Sequence, residues 1–558
     1  MIFSKAPDVS KAPAASQRVK PLKSRRSHVL KARGLVLESP VSAGAEPCVR
    51  AGIPIRAEAV ASSCARLLPV LGLAFLLSAC AVGPEYATPG FPLPASWNDN
   101  RSRPASEQTT PTPPQLGAWW KTLRDPTLNR IMDVAVESNL DVATAKARVR
   151  EARAGYRKQM GTLFPIADGA GTITRGDNGS VVGDDGAVDA PGLYTQYRAG
   201  FDASWELDIF GGNRRGLEAT KYGMQAAEDE LQATLLTLVG DVASYYVEAR
   251  GYQARIALAK RTAATQRETA ALTRTRMEAG AVSAVDAANA SGQAASTEAV
   301  IPDLQAAYAA SVHRLSVLTG QPPTALAELM DRGGRIPSPR APVRKGVPAD
   351  VLRSRPDVRQ AERELARTTA LIGQAEAARY PSVSLTGNVN TMGTKLGDLA
   401  RGSSISWSYG PTLTVPVFHG GQLKAQVEVT EAQRDQSYLT YHAAILTALE
   451  DVENAIVSLA QERRKAERLS ASTTAYGQAA TLSRSLYQNG STSFLEVLDA
   501  ERSLYSAEDS LLQSRVSIAT DYIALNKALG GGWDGEVNVT TPAVVDQNTG
   551  PHFARPIQ

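Results

Sequence analysis

An internal duplication constrains the fold of this 558-residue chain more than any other feature of its sequence. The stretch LTRTRMEAGAVSAVDAANA, which begins at Leu272, aligns without gaps with LSRSLYQNGSTSFLEVLDA, which begins at Leu482, an offset of 210. Farther upstream, NLDVATAKARV at Asn139 aligns with RPDVRQAEREL at Arg355, an offset of 216. A sequence repeated at fixed spacing predicts that two parts of the chain share one architecture.

Each half contains a long stretch in which apolar residues recur in alternating steps of four and three. In the first half these residues are Leu231, Leu235, Leu238, Val242, Tyr245, Ala249, Tyr252 and Ile256, and in the second Tyr441, Ile445, Ala448, Val452, Ala455 and Leu459. This spacing is typical of a coiled-coil seam. We predict long helices over 213–279 and 421–488, each about 100 Å long at 1.5 Å per residue.

Shorter helical segments are predicted at 283–318 and 347–379, each about half as long as a long helix, so that two placed end to end would match one. Prolines in the interval between them stop helix formation; they are Pro322, Pro323, Pro337, Pro339 and Pro342. We therefore predict an equatorial connection over 321–346 that packs around the middle of a helical cylinder. Residues 126–320 form the first repeat and 347–530 the second.

Four segments between the helices alternate between apolar and polar residues, which is typical of β-strands. YRAGFDASWELDI, ISWSYGPTLTVPV and VSLTGNVN alternate cleanly, and IADGAGTIT alternates more weakly. We predict strands at about 165–175, 196–209, 381–391 and 405–417. The loops that join the strands in pairs are polar and rich in Gly. The segments FGGNRR and FHGGQ connect a strand to the following helix, and Gly permits the sharp turn that this connection needs.

These strands have two interpretations. Each alone is compatible with a soluble sheet that has one buried face. Strands of about ten residues with aromatic side chains on the apolar face also fit a transmembrane barrel. Four strands cannot close a barrel, for which about eight is the smallest useful number, whereas three chains would supply twelve.

A basic leader precedes the repeats. Residues 1–79 hold 12 Lys and Arg against 4 Asp and Glu, and the remainder holds 48 against 52. The apolar run LLPVLGLAFLL that follows the basic residues is too short to cross a bilayer, which takes about 20 residues, so we predict a removed signal peptide. The leader, residues 1–79, is unusually long for a signal peptide. A later start is the alternative, but no Met lies between Met1 and Cys80, so translation would need a non-Met codon near Val49 or Val60.

The cysteine at the end of this leader predicts a lipid anchor. LSAC, at residues 77–80, resembles a bacterial lipobox, in which a lipid is attached to the cysteine and cleavage makes that cysteine the new N-terminus. The alternative is a chance tetrapeptide after a buried helix. Cleavage before Cys80 would remove Cys48 and Cys64, so no disulfide framework would remain. Residues 80–125 are then a lipid-anchored N-terminal segment.

Seven motifs, in order, carry a resemblance to a known family: CAVGPEY, WWKTLRDPTL, SWELDIFGG, LTGQPP, RPDVRQAE, VPVFHGG and LNKALGGGW. They resemble the TolC-like outer-membrane factors, specifically the NodT-type lipoprotein branch that partners RND-type efflux pumps. The resemblance covers almost all of residues 80–534. It implies a mainly α-helical homotrimer with a membrane β-barrel portion, in which a 12-stranded barrel in the outer membrane continues into a 12-helix periplasmic tunnel.

The resemblance also implies where the chain contacts a periplasmic adaptor and where the channel is constricted. Both places lie at the turns between long and return helices. The implied adaptor contacts are Gly280, Gly490, Arg274 and Arg484, and the implied gate residues are Asp286, Tyr487, Leu495, Glu496 and Asp499. An acid in the first turn of a helix, such as Asp286, is also explained by the helix dipole alone. Thr492 stands where some relatives carry an arginine that ties the tip shut.

The function implied is a passive exit duct for drugs or other small solutes, delivered by an inner-membrane RND pump through the adaptor. The alternatives are a type I protein-secretion channel and a lipid-anchored coiled-coil structural lipoprotein. We predict no enzymatic activity, no metal site, no nucleic-acid partner and no cofactor beyond the covalent lipid on Cys80, because neither catalytic motifs nor ligand-spaced histidines occur. The tail, 531–558, is predicted to be partly disordered because its end is polar and contains Pro.

Overall fold

The computed structural model describes residues 81–97, 117–177, 192–339 and 348–542. The described residues all belong to one unit, which spans Leu71–Gln558. The predicted signal peptide, Cys80, part of the predicted equatorial connection and the tail from residue 543 lie outside the described residues.

The two repeats contain the same elements in the same order. The first consists of α1 (Pro126–Ser138), α2 (Leu140–Gly161), β1 (Ile166–Asp177), β2 (Leu193–Leu207), α3 (Gly212–Glu278) and α4 (Ala284–Leu318). A short helix, α5 (Ala327–Asp331), lies in the connection. The second consists of α6 (Pro348–Ser354), α7 (Pro356–Ala377), β3 (Ser382–Gly393), β4 (Ile405–Thr414), α8 (Gln422–Gln488) and α9 (Phe494–Ala528).

Three pairs of corresponding helices have equal lengths. The long helices α3 and α8 each contain 67 residues, the return helices α4 and α9 each contain 35, and α2 and α7 each contain 22. At 1.5 Å per residue, α3 and α8 are each about 100 Å long. Within the described ranges, no helix is both long and apolar enough to cross a membrane.

Proline explains two of the differences between the observed element boundaries and the sequence-based expectation. The segment predicted as one helix over 347–379 is interrupted at Arg355, which adopts an extended conformation before Pro356. A residue that precedes proline is disfavoured in the helical region, whereas proline is favoured at the first helical position. Strand β4 ends at Thr414, before the predicted 417, because Pro416 cannot donate a hydrogen bond to a neighbouring strand.

The start of each 22-residue helix docks on the end of a return helix. The Asn139 side chain caps α2 and also donates from Nδ2 to the Leu318 carbonyl oxygen at 2.9 Å, which joins α2 to α4. In the second repeat Arg355 occupies the same position, and its Nη1 donates to the Ala528 carbonyl oxygen of α9 at 3.4 Å. Different side chains therefore make the same junction.

A glycine follows the return helix at both junctions. Gly320 and Gly530 have φ angles of 67° and 84°, in the left-handed region that favours glycine. A Cβ atom on Gly320 would lie 2.3 Å from the Ser138 carbonyl oxygen, and one on Gly530 would lie 2.8 Å from that of Ser354. Only glycine allows this close backbone approach, so LTGQ and ALGG encode equivalent corners.

The main hydrophobic core lies where the middle of α3 meets the return helices and the tryptophan-containing segments at 119–123 and 533. Trp119 donates from Nε1 to the Gly531 carbonyl oxygen at 3.0 Å, and Trp120 stacks on Trp533 with ring centroids 5.8 Å apart. The described part of the C-terminal tail is thereby packed against the helices. Its predicted disorder concerns residues that lie mostly outside the described range.

A buried arginine ties the equatorial connection to α3. The Arg250 guanidinium donates to the carbonyl oxygens of Met330 and Arg332 at 3.2 and 2.8 Å, and from Nε to the Tyr246 hydroxyl at 3.0 Å. Tyr246 in turn donates to the Asp125 carboxylate at 2.7 Å. Burial, together with the hydrogen bond to Asp125, raises the pKa of the Tyr246 phenol above its ordinary value, so it remains a donor.

The four strands form one antiparallel sheet in the order β1-β2-β3-β4, so β2 and β3 join the two repeats and β1 and β4 form the edges. One face carries the large apolar side chains predicted from the alternation, among them Phe201, Trp205 and Trp407, all exposed in this single chain. The other face is polar. Asp168, Asp202, Asn388 and Ser408 pair successively and form one row across it.

Candidate functional site

Each long helix ends in the same tight turn. Gly280 and Gly490, the predicted tip residues, have φ angles of 72° and 76°. In the first turn the amides of Gly280 and Ala281 donate to carbonyl oxygens of the last turn of α3, at 2.9 and 2.8 Å. The turn at Gly490 repeats both bonds at 2.9 Å. This is a Schellman motif, which requires a left-handed residue and therefore favours glycine.

Asp286 is engaged at the start of α4. Its Oδ2 accepts hydrogen bonds from the Ser283 hydroxyl at 2.8 Å and from the Ser283 amide at 3.2 Å, while the Ser283 hydroxyl accepts from the Asp286 amide. This reciprocal capping box satisfies amides that a helix leaves free at its start. Asp286 therefore has a structural role at the tip, which matches the helix-start explanation of the sequence.

Tyr487 is buried in a small hydrophobic cluster between the two tips. Its hydroxyl donates to the Thr273 hydroxyl of α3 at 3.1 Å, and its ring packs edge-on against Phe494 with centroids 5.9 Å apart. Ala290, Val497 and Leu498 complete the buried cluster. The Tyr487 side chain therefore joins the helical hairpins and does not face an open space in this chain.

Arg276 is a tip residue that the sequence reasoning missed. Its Nη1 and Nη2 donate to the carbonyl oxygens of Tyr487 and Gln488 at 2.6 Å each, and its guanidinium lies 4.7 Å from the centre of the Tyr487 ring. These carbonyls belong to the last turn of α8, where the helix dipole is negative and a cation is favourable. In the repeat alignment Arg276 stands opposite Leu486. This difference in charge between the two repeats is the sequence feature that could have identified Arg276.

The two predicted tip arginines have different surroundings. Arg484 forms an ion pair with the buried carboxylate of Glu501, with Nη2 and Oε1 2.8 Å apart, so it links α8 to α9. Arg274, at the matching position of α3, is exposed. The ion pair leaves Arg484 less accessible to a partner protein than Arg274.

Three of the predicted gate residues share an exposed face of α9. Leu495, Glu496 and Asp499 are exposed, and their spacing of three and four residues puts them on one side of the helix. Thr492 donates from its hydroxyl to the Glu496 carboxylate. The structure thus groups these three residues, while Tyr487 and Asp286 are engaged elsewhere in the tip.

At the opposite end of α3, residues 81–97 run as an extended strap along the helices. Arg215, whose side chain is buried, donates from Nε and Nη2 to the carbonyl oxygens of Val82 and Gly83 at 3.2 and 3.3 Å. A Cβ atom on Gly83 would lie 2.2 Å from the Cα atom of Gly373 in α7. The start of the GPEY motif, Gly83, therefore contacts the backbone of α7 directly.

The strap continues toward the middle of α8. The hydroxyls of Tyr86 and Thr88 both donate to the Glu362 carboxylate, at 3.1 and 3.0 Å, and Phe91 stacks on His442 with ring centroids 4.9 Å apart.

No group of three or more potential metal-ligating side chains occurs within the described ranges.

Two features together define the class of TolC-like outer-membrane channel proteins. They are an open-edged antiparallel sheet and two long helical hairpins, which end in glycine turns about 100 Å from the sheet. The chain belongs to the outer membrane efflux protein family, whose model matches residues 131–321 and 347–531. The two matched segments coincide with the two repeats. The resemblance to the TolC-like family is thus confirmed, and with it the outer-membrane location.

Relatives match over most of their length. Nodulation protein T of Rhizobium leguminosarum bv. trifolii is 35% identical over 460 residues, which cover 82% of this chain and 96% of that protein. The solvent efflux pump outer membrane protein SrpC of Pseudomonas putida is 31% identical and covers 84% of this chain and 99% of its own length. The probable outer membrane lipoprotein SilC of Salmonella typhimurium is 30% identical, covering 82% and 97%.

Solved structures show the same fold. The outer-membrane channel OprN is 32% identical, with a TM-score of 0.75 over 81% of this chain and 100% of that one. CusC, whose structures concern folding and transmembrane channel formation, is 26% identical, with a TM-score of 0.69 over 81% of this chain and 100% of its own.

Proposed function

We propose that this chain is one subunit of a passive outer-membrane duct through which small solutes leave the cell. The observation that carries the proposal is a four-stranded sheet with two free edges, one apolar face and one polar face, continuous with two long helical hairpins. Such a sheet closes only when further copies join its edges, and three copies would supply twelve strands. The apolar faces would then contact lipid and the polar faces would line water.

The energy for export would come from partners. Relatives such as SrpC are named as the outer membrane component of an efflux pump, which supports an assembly with an inner-membrane RND pump and a periplasmic adaptor. We place the adaptor contact at the tips, around Gly280, Gly490, Arg274 and Arg484. The substrates would be drugs, solvents or other small solutes that the pump selects.

The proposed lipid on Cys80 would lie at the junction of sheet and helices. A Cβ atom on Gly211, which begins α3 directly after the sheet, would lie 3.0 Å from Ala81, the residue that follows Cys80. An acyl chain contributes roughly 0.8 kcal/mol per buried methylene, so two or more chains would hold the strap at the membrane surface. The lipobox sequence and the lipoprotein name of SilC also support this anchor.

For the gate, we propose that the exposed α9 face of Leu495, Glu496 and Asp499 narrows the channel. Three copies would place three such faces around one axis, with an apolar ring beside an acidic one. Tyr487 and Asp286 would act indirectly, Tyr487 by holding the hairpins together and Asp286 by capping α4.

The test of this function is electrical. Purified full-length protein reconstituted in planar bilayers should form pores of uniform conductance, and an absence of pores at any protein concentration would contradict the channel. Mass measurement of the same sample in detergent should give three chains per particle.

The gate is tested by Asp499→Ala in the same assay. Removal of a ring of carboxylates should lower the preference for cations or raise the resting conductance. Glu450→Ala is a matched control, because Glu450 is exposed midway along α8, far from the tip. Equal effects of the two variants would reject the acidic gate while leaving the channel itself in place.

A further inference from the structure

The strap covers one face of α7, and the internal repeat identifies the equivalent face of α2. Along α7 the strap contacts Gly373, whose Cα lies 2.2 Å from a Cβ atom placed on Gly83, and Glu362, which accepts hydrogen bonds from two strap hydroxyls. At the offset of 216 the equivalent residues of α2 are Arg157 and Lys146. A face that this chain covers in the second repeat is thus a basic face in the first.

Arg157 lies on the outer side of the helical layer. Arg150, one heptad before it and therefore on the same side of α2, donates to the carbonyl oxygens of Val539 and Thr541 at 3.2 and 3.1 Å. The opposite side of α2, at Gln159, lines a groove between α2, α3 and α7. The C-terminal segment and the strap thus cover equivalent sides of α2 and α7. A strap that starts beside a lipid anchor has to run outside a channel wall, so Arg157 faces outward.

The height of Arg157 matches that of the proposed lipid anchor. Its equivalent in α7, Gly373, contacts Gly83, which is three residues after Cys80. Three extended residues span at most about 10 Å, so Gly373 would lie within about 10 Å of the lipid-bearing residue. Helices α2 and α7 each contain 22 residues and are followed by β1 and β3 after equal intervals. Arg157 therefore lies at the same height, where the membrane surface would be.

Lys221 of α3 lies beside Arg157. The ion pair between Arg153 and Glu228, with Nη2 and Oε1 2.7 Å apart, fixes how α2 and α3 are aligned. Arg157 lies one turn closer to the sheet than Arg153, and Lys221 lies one heptad closer than Glu228 on the same side of α3. At 1.5 Å per residue these steps are about 6 and 10 Å, a difference that two long side chains can span.

The charges of Arg157 and Lys221 are not compensated within the described part of the chain. Both side chains are exposed, and neither forms an ion pair or a hydrogen bond with a described residue. The nearby acids are already engaged. Between residues 212 and 240 of α3, each acidic side chain pairs with an arginine of this chain; these acids are Glu218, Glu228, Asp229 and Glu230.

Apolar side chains separate the two cations from the sheet. Met160 lies about one turn closer to the sheet than Arg157, and Phe164 follows just after the end of α2. Both are exposed, Phe164 by 61%. Two cations next to exposed apolar side chains match a phospholipid, in which an anionic phosphate is attached to acyl chains.

We propose that Arg157 and Lys221 together bind the phosphate of an anionic phospholipid in the periplasmic leaflet of the outer membrane, with its acyl chains against Met160 and Phe164. A guanidinium and an ammonium on one phosphate form charge-assisted hydrogen bonds. The lipid would give each subunit a second membrane attachment, on the helices that its own strap does not cover. The inference rests on the outer-membrane location and on the proposed anchor at Cys80, and it does not require a pore.

Thermal unfolding with defined lipids tests the site. Full-length protein in a non-ionic detergent should unfold at a higher temperature with added phosphatidylglycerol than with phosphatidylcholine of the same acyl chains. Arg157→Gln with Lys221→Gln should weaken phosphatidylglycerol binding about 30-fold, because each cation contributes about fivefold, and most of the stabilisation should disappear. The control, Lys260→Gln with Arg261→Gln, removes the same charge from exposed positions about 60 Å farther along α3 and should keep the stabilisation.

A matched substitution and a second ligand separate the explanations. Arg157→Lys keeps the charge and should retain most of the stabilisation. Equal stabilisation by phosphatidylcholine or by inorganic phosphate would overturn an anionic lipid as the ligand. Equal losses in the two double variants would show a general charge effect and overturn the site.

The same samples distinguish this inference from the proposed function. The double variant of Arg157 and Lys221 should form pores of the parent conductance in planar bilayers. An unchanged phosphatidylglycerol effect in that variant, with pores present, would reject the lipid site and leave the channel standing. Should the double variant not fold, the single variants Arg157→Gln and Lys221→Gln replace it, and unchanged binding in both rejects the inference.

Discussion

Arg276 holds the two hairpins of one chain together at their tips. Its two hydrogen bonds end on carbonyl oxygens in the last turn of α8, and its guanidinium also lies over the Tyr487 ring. A cation at the C-terminal end of a helix stabilises it by up to about 1 kcal/mol, and the cation–π contact with the Tyr487 ring adds further stabilisation. The tips of the two hairpins are therefore joined by a side chain of α3.

Replacement of Arg276 by Ala should loosen the tip and raise the resting conductance. Loss of about 1 kcal/mol changes a two-state equilibrium by about fivefold, so open events in planar bilayers should become several times more frequent. Arg274→Ala removes the same charge from an exposed position two residues away and should leave the resting conductance unchanged. Identical traces for Arg276→Ala and the parent protein would show that Arg276 does not restrain the gate.

Gly83→Ala should detach the strap from α7. The φ angle of Gly83 is 92°, where a side chain costs about 1–2 kcal/mol, and the added Cβ would lie 2.2 Å from the Gly373 Cα. We expect faster proteolysis within residues 81–97 and a lower apparent unfolding temperature in detergent. Gly90→Ala is the control, because a Cβ there meets nothing within 4 Å. Equal protease sensitivity of the two variants would argue against strap docking.

At the scale of elements, the sequence predicted what periodicity can encode. Alternating steps of four and three identify α3 and α8, and alternation of apolar and polar residues identifies the strands. The strap has no periodicity, because its contacts are single backbone carbonyls held by Arg215 and hydroxyls held by Glu362. The interruption at Arg355 was visible as a proline, yet the periodic pattern continued across it.

The junction at that interruption combines two ion pairs. The Arg355 guanidinium contacts the Asp357 carboxylate at 2.6 Å and the Asp451 carboxylate of α8 at 2.8 Å. Burial alone would raise the pKa of Asp357, but hydrogen bonds and attraction from Arg355 outweigh it, so the pKa lies below its ordinary value. The charged form of Asp357 thus stabilises the folded chain.

Asp357→Asn should therefore destabilise the protein in a pH-dependent way. The contribution of Asp357 is complete above its unfolded-state pKa of about 4 and is lost as the pH falls through the lower folded-state value. Apparent unfolding temperatures of parent and variant should differ most at pH 7, and the difference should shrink as the pH falls below about 4. The control Asp303→Asn alters an exposed carboxylate on α4 and should change little at either pH. A difference that stays constant as the pH falls below about 4 would contradict this account.

At the scale of the whole molecule, the sheet ends at two free edges, β1 and β4. These edges are the surfaces that further copies would cover in the proposed channel. The sequence already predicted four strands per chain, too few to close a barrel. The gate was harder to predict, because the residues Tyr487 and Asp286 match a family pattern in sequence but are engaged within the tip, and burial of a side chain depends on neighbours that are distant in sequence.

The polar face of the sheet carries a net negative charge that should select ions in an assembled barrel. Asp168 and Asp202 are directly opposed on neighbouring strands, and Arg198 lies on the same face, where it donates to Asn390 at 3.1 and 3.2 Å. Three copies would place six of these carboxylates at one level of the pore. Such rings favour cations.

Asp202→Asn should lower cation selectivity and Arg198→Gln should raise it. A carboxylate about 10 Å from an ion contributes about 0.4 kcal/mol in water before screening, so removal of three should reduce the cation-to-anion permeability ratio by about twofold in moderate salt. Reversal potentials in a salt gradient measure this ratio. Asp202→Asn also removes a like-charge pair across two strands, so the sheet should not be destabilised. Shifts of the same sign in both variants would show that this face does not line the pore, because only a water-filled lumen makes the permeating ion respond oppositely to the two charges.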